Sequence, residues 1–533
     1  MNFRFVVFAV GKLLQVQGLI FLIPAVIAWF ETAGPVTERL LSPEFFGFFI
    51  AILFSLSVGT VLVALFARDR GEIDVREGFA IVTLGWIVLA LVGAIPLFNF
   101  FLSILDEITV LAVLRAFTDA FFEVMSGLTT TGATILVDIE ALPAGLLFWR
   151  SLTHWIGGMG IVTLALALLP VFGVSAYQLF RGEVPGPSKE RLKPRLAQTA
   201  IILWGVYALL TFGQTVLLMF GNMSVFEAFC HAFGTMATGG FSTRNVSVSA
   251  FGSAYIEWVI IVFMFLAGTN FLIHYKVIFG RDLSMIRENR EFHFYLGTIL
   301  VATLFCALIL GFQGISPSDT IQRQFRSETL SEQQLQTVRE VETERINTPS
   351  RLIRQSLFQV ISIVTTTGFA GADWDTWPDS VRLLLMVLMF FGGSAGSTAG
   401  GIKMIRMLVL FKVAFHQAKI MIQPRLVSPV KIGNQALSDS QMSGIVSFFI
   451  IFMLLFVFFS LVMSTMIPDF KTAVSTVVAT LGNIGPGLSG IGAFENYSWI
   501  PLPGKWVLTL CMLLGRLEIY TVLIAFSRIS WRR

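Results

Sequence analysis

Between Phe45 and Phe66 the chain carries no charged side chain, and runs of similar length and apolarity recur from one end of the sequence to the other. About 20 consecutive apolar residues are what a helix needs to cross the hydrocarbon core of a bilayer. Comparable runs lie at residues 5–30, 79–100, 152–174, 196–220, 258–279, 294–312, 383–410, 445–467 and 506–526, which makes ten in all. Barrel strands would be about 9–11 residues long and alternate in polarity, so these segments are read as helices. Composition agrees: 13% of the 533 residues are charged, where a soluble domain carries about 25%. A soluble enzyme and a disordered or fibrous chain are excluded. What remains is an all-α polytopic membrane protein. The run at 5–30 is followed by no small-residue cleavage site, so it is expected to stay as a span.

An even number of spans puts both termini on one side, and the loop lysines and arginines say which. One set of loops holds Arg68, Arg70 and Arg76; Arg181, Lys189, Arg191, Lys193 and Arg195; Arg281, Arg287 and Arg290; Lys412, Lys419, Arg425 and Lys431; and the tail Arg528, Arg532 and Arg533. The opposite loops hold little beyond Arg39, Arg115, Lys471 and Lys505. Both termini are therefore expected to be cytoplasmic, with the polar segment 313–350 an external insertion. A net charge of +4 points to no nucleic acid. Cys230, Cys306 and Cys511 lie far apart in apolar stretches, so they form neither a disulfide framework nor a metal set. The five histidines are dispersed and read as structural, and no glycine run follows a predicted strand as a nucleotide site requires.

Between some spans lie apolar segments too short to cross, which suits re-entrant half-helices. Each ends in a polar, glycine-bearing turn. The first runs from Phe122 to Thr129-Thr130-Thr131-Gly132, the second from Phe229 to Ala237-Thr238-Gly239, and the third from Phe358 to Thr365-Thr366-Thr367-Gly368. The fourth, Asn483-Ile484-Gly485, keeps the glycine but has Ser475 where the others have Phe. Every unit reads span, half-helix, turn, span. Four units account for eight spans, and the first two form an N-terminal two-helix hairpin. Such an array is expected to surround a central pore with the turns lining it. Irregular backbone survives at membrane depth only when buried in protein or facing a water-filled cavity. Rings of carbonyl and hydroxyl oxygens can replace the hydration shell of a monovalent cation.

The strings Thr129–Thr134 (TTTGAT), Trp149–Gly160 (WRSLTHWIGGMG), Thr238–Asn245 (TGGFSTRN), Thr365–Phe369 (TTTGF), Gly392–Lys403 (GGSAGSTAGGIK) and Asn483–Gly487 (NIGPG) fall in order at these positions. Together the chain resembles the Trk/Ktr/HKT superfamily of potassium transporters, and within it the bacterial TrkH-type membrane subunit, over nearly its whole length. The resemblance implies K⁺ uptake through a selectivity filter with glycines at Gly132, Gly239, Gly368 and Gly485. The carbonyls before them (Thr130, Thr131; Ala237, Thr238; Thr366, Thr367; Asn483, Ile484) would bind the ion, and no cofactor is implied. Plant relatives with Ser at the first of these glycines favour Na⁺; Gly at all four favours K⁺. The resemblance further implies location in the cytoplasmic (inner) membrane, a homodimer, and a separate cytosolic nucleotide-binding regulatory subunit. The insertion has no counterpart in the family pattern and is given no role.

Two features interrupt later spans. A run with Gly392, Gly393, Gly396, Gly400 and Gly401 cannot make a stable helix, at up to ~1 kcal/mol per glycine relative to alanine. It is either a seam for close helix packing or a broken helix, and the resemblance implies a gate. Lys403 anchors that loop or snorkels to the surface. Arg516 sits in the last span with Glu518 beside it, where a charge at mid-membrane costs at least ~2.5–3.5 kcal/mol. Residues i and i+2 do not face each other, so the two need different partners. Arg516 is either in a structural ion pair or, as the family pattern implies, a positive barrier beneath the filter. The units are expected at 1–75 (hairpin), 76–195, 196–292, 293–430 and 431–533. The alternatives within transport are a Na⁺- or H⁺-coupled symporter and a less selective K⁺/Na⁺ transporter. A membrane-embedded enzyme would need clustered carboxylates or paired histidines that the spans lack.

Overall fold

The computed structural model describes residues 2–66, 75–160, 196–313, 348–424, 429–433, 435–527 and 531. Among the described residues, six helices are long and apolar enough to cross a membrane, rising to eight when two bent pairs are counted as spans. The expected spans at 5–30, 45–66 and 79–100 correspond to Phe3–Glu31, Pro43–Phe66 and Arg76–Ser103; those at 196–220, 294–312 and 445–467 correspond to Ala200–Phe220, Arg290–Gln313 and Asp439–Ser464. Two others are not straight. Ala254–Ala267 and Phe271–Gly280 meet at 102°, and Leu502–Arg516 and Ile519–Phe526 at 112°. The run at 383–410 divides into Asp379–Leu388 and Met404–Ile422 with the glycine-rich segment between them. The run at 152–174 begins inside Ala144–Gly158, and its remainder lies outside the described residues. So do most of the 313–350 insertion, the basic positions 68, 70, 181–195, 425 and 528, and the two final arginines.

Burial separates the helices into two classes. Pro43–Phe66 and Asp439–Ser464 have only 22% of their apolar windows covered by protein, so their bare faces suit acyl chains. The half-helices are the reverse, one face packed inside and the turn-proximal end wholly buried. They are Val110–Leu128, Val225–Met236, Pro349–Val364 and Phe470–Leu481, two of them longer than the sequence suggested.

Each half-helix lies against the span that follows it. The first three also touch the corresponding span of the neighbouring unit: Val110–Leu128 meets Leu502–Arg516, Val225–Met236 meets Ala144–Gly158, and Pro349–Val364 meets Ala254–Ala267. That order carries the chain around an axis. The N-terminal hairpin stands outside, yet it holds the first unit in place. Glu31 accepts from the Ala144 N–H at 2.7 Å and Glu44 from that of Leu146 at 3.1 Å. Two carboxylates thus satisfy the free donors at the start of Ala144–Gly158, where a helix carries partial positive charge.

Candidate functional site

The four turns share one backbone course. Each half-helix ends on a right-handed residue with φ between −74° and −83° and ψ near zero, at Thr129, Ala237, Thr365 and Gly482. The next residue turns left-handed: φ is +52° at Thr130, +55° at Thr238, +56° at Thr366 and +54° at Asn483. The N–H one further on reaches back five residues, Thr131 to Ser126 at 2.9 Å and Gly239, Thr367 and Ile484 to Gly234, Ser362 and Ala479 at 2.8 Å. A glycine with positive φ closes each turn: Gly132, Gly240, Gly368 and Gly485.

This hydrogen-bond pattern corrects the sequence register of the second turn. Gly240, not Gly239, is equivalent to Gly132; Gly239 takes the place of Thr131, and Thr238 that of Thr130. Ala237 is the helix cap. Phe229 stands ten residues before Gly239, as Phe122 does before Gly132, and the Gly239-Gly240 doublet fits either register.

The turns close into a ring. A Cβ on Gly132 would overlap the carbonyl oxygen of Gly239, one on Gly240 that of Thr367, one on Gly368 that of Ile484, and one on Gly485 would press on that of Thr131. Each glycine receives the carbonyl of the next turn, and the fourth returns to the first. Asn483 strengthens that last junction by donating from Nδ2 to Thr131 Oγ1 at 2.9 Å.

Side chains that the sequence reading left without a role brace this ring. Glu123, in the first half-helix, pairs with Arg150 at 2.8 Å and accepts from Thr134 Oγ1 and the Ile135 N–H, both at 2.9 Å. Both charged groups are fully buried, and the Arg150 guanidinium lies 4.1 Å from the Phe241 ring centroid. His154 joins the first two turns through Gly127 O at 2.9 Å and the Phe241 N–H at 3.3 Å. Tyr497 donates to the Gly485 carbonyl at 2.5 Å. In the loops beyond the first two turns, Asn245 donates to Asp138 at 3.0 Å and holds that carboxyl below its usual range. Arg150 stands inside the string Trp149–Gly160 and Glu123 directly follows Phe122 in the first half-helix; a charge in an apolar segment was the signal that could have found them.

The glycine-rich segment is a loop, not a helical seam. Phe391 and Ile402 form a bridge, with Gly392 N–H on Ile402 O at 2.8 Å. A Cβ on Gly392 would overlap the Gly400 carbonyl, and Gly396 and Gly401 have positive φ. The loop touches the ring directly: the Gly400 N–H donates to Thr366 Oγ1 at 2.7 Å, and Thr398 Oγ1 to Met236 O at 3.0 Å. Gly393 stands 2.7 Å, at its would-be Cβ, from Gly268 O.

Three charged residues hold the loop. Lys403 donates to Ala399 O inside it rather than snorkelling to the surface. Arg516 lies at the bend, not within a continuous span. It donates to Thr398 O at 2.7 Å and to Gly157 O and Gly158 O at 2.6 and 2.9 Å, tying the loop to the first unit. Glu518 has a different partner, Arg406, at 2.8 Å. Glu291, at the start of Arg290–Gln313, accepts from the Ala395 N–H at 2.7 Å and the Ile405 N–H at 3.1 Å. One buried carboxylate thus ties the loop to the start of the helix that follows it. Among the described residues no cluster of potential metal ligands occurs.

Residues 45–532 match the TrkH family, described as a cation transport protein. The chain is 37% identical over 534 residues to the Trk system potassium uptake protein TrkH of Salmonella typhimurium and to that of Escherichia coli K12, with all of each chain covered. It is 33% identical to the Trk system potassium uptake protein TrkG of E. coli K12, covering 99% of each chain. The crystal structure of the potassium transporter TrkH from Vibrio parahaemolyticus superimposes with a TM-score of 0.79 at 32% identity, covering both chains completely. Sequence, fold and the ordered set of turns agree, and the chain belongs to the TrkH family of cation transport proteins.

Proposed function

We propose that the chain carries out K⁺ uptake across the cytoplasmic membrane through a selective, gated pore. The closed ring of four turns carries this reading, because it gathers backbone oxygens from four units into one constriction. The ion-facing set is Thr130, Thr131 and Gly132; Thr238, Gly239 and Gly240; Thr366, Thr367 and Gly368; and Asn483, Ile484 and Gly485. Each half-helix delivers its C-terminal, partly negative end to that ring, which favours a cation. The relatives' names as potassium uptake proteins support K⁺ as the ion. The four units are pseudo-repeats with the boundaries read from the sequence, and the basic loops lie in the cytoplasm with both termini.

The loop 392–401 is the gate. It lies against the ring, and Arg516, Lys403 and Glu291 set its position. The membrane subunit pairs as a homodimer and takes a separate cytosolic nucleotide-binding regulator. Both rest on the family resemblance, and light scattering of the solubilised chain with and without such a regulator tests them.

The direct test is growth of a K⁺-uptake-deficient bacterium at low K⁺, with and without Na⁺. Restored growth in both media fits an uncoupled pore. A strict need for Na⁺ assigns coupled symport instead. No growth from protein present in the membrane contradicts the proposal.

A further inference from the structure

Helix Met404–Ile422 continues beyond the apolar run that ends at Leu410, and its extension carries a face of its own. Lys412, Phe415, His416, Lys419 and Ile422 follow helical spacing and line one side of a cavity of about 590 Å³. The other side includes Lys431, in the short antiparallel pair Lys431–Ile432 with Gln435–Ala436. Lys412 Nζ donates to the Lys431 carbonyl at 2.6 Å, which pins the hairpin to the helix and gives the cavity a built wall.

Position and chemistry together narrow the occupant. The next span begins at Asp439, capped by Ser438, so the cavity lies where one helix has just left the membrane and the next is about to enter. The ends of the apolar runs at Leu410 and from Ile445 put it at the membrane boundary. No acidic side chain is among the described lining residues, while Lys412, Lys419, Lys431 and His416 are. Phe415 and Ile422 are 70% and 79% exposed beside them. Lysines alone would suit any soluble anion. Lysines flanked by bare apolar side chains at a membrane boundary suit an anion that carries an acyl chain, because basic groups at this depth attract anionic lipid.

We propose that this cavity binds the phosphate headgroup of an anionic phospholipid from the leaflet facing the basic loops, with Lys412, Lys419 and Lys431 meeting the phosphate and Phe415 and Ile422 the first part of the acyl chain. The site is separate from the ring and does not depend on which ion the ring conducts.

The test is native mass spectrometry of the full chain released from mixed micelles of phosphatidylglycerol and phosphatidylcholine. The parent is expected to retain phosphatidylglycerol several-fold over phosphatidylcholine. Combined Lys412→Gln, Lys419→Gln and Lys431→Gln should abolish the preference, and the matching Lys→Arg triple should keep it. Phe415→Ser with Ile422→Ser should reduce retention of the lipid. Water-soluble glycerol phosphate at equal concentration should fail to displace it. Equal retention by the parent and the Gln triple overturns the site, as does loss in the Arg triple. Full displacement by glycerol phosphate overturns the lipid assignment and makes the occupant a soluble phosphate.

Discussion

Threonine is an uncomfortable residue for left-handed backbone, yet Thr130, Thr238 and Thr366 all adopt it. Strain of this kind costs about 1–3 kcal/mol per residue and persists only where the surroundings over-determine it. Here they do. Thr129 and Thr131, and again Thr365 and Thr367, bond hydroxyl to hydroxyl at 2.8 Å across the strained residue. Behind the first turn stands the buried Glu123–Arg150 pair. Removing one partner of such a pair costs about 3–5 kcal/mol, since a buried charge is left uncompensated. Glu123→Gln is therefore expected to lower the thermal midpoint of the solubilised protein and to weaken ion discrimination; an unchanged midpoint would show that Arg150 finds another partner. The Thr-Thr-Thr-Gly strings were legible because glycine and threonine at fixed distance from a half-helix leave few alternatives. The pair behind them was not, since Glu123 and Arg150 are 27 residues apart on different helices. The register of Gly239 and Gly240 also needed the hydrogen bonds, because two adjacent glycines carry no side chain to tell them apart.

At the scale of elements, the second spans of units two, three and four are all broken beneath the ring. Only one break was legible. Glycines from 392 to 401 weaken a helix enough to flag a break, whereas windows spanning 268–270 and 517–518 still average apolar, because hydropathy records composition rather than direction. Asn270 marks the first of those bends by accepting from the Leu272 N–H at 2.8 Å, a cap that restarts the helix. The loop between the halves of the third unit is fastened from two sides, by Arg516 on Thr398 and Glu291 on Ala395 and Ile405. Buried donors left without an acceptor cost about 1–3 kcal/mol each, so Glu291→Ala should loosen the loop. Arg516→Ala should do so more, because it also removes the tie to Gly157 and Gly158. Both variants are expected to raise basal uptake of radiolabelled rubidium into liposomes. Flat or reduced uptake by correctly folded protein contradicts the gate.

Over the whole molecule, the span–half-helix–turn–span plan was legible in hydropathy and in the spacing of four turns. What hydropathy could not supply was the closure. Each ring glycine is placed by a carbonyl from a different unit, a relation that exists only once the chain has gone around the axis. Any side chain at these positions must displace a neighbouring unit's backbone, so a change in one turn propagates to the next. On the proposed function, monovalent cations pass through this ring and are sorted there. The most direct measurement is competition of K⁺ and Na⁺ against radiolabelled rubidium uptake by proteoliposomes, for the parent and for Gly132→Ser. K⁺ is expected to compete far better than Na⁺ in the parent, and the gap is expected to narrow in the variant. An unchanged gap in folded Gly132→Ser protein would contradict it.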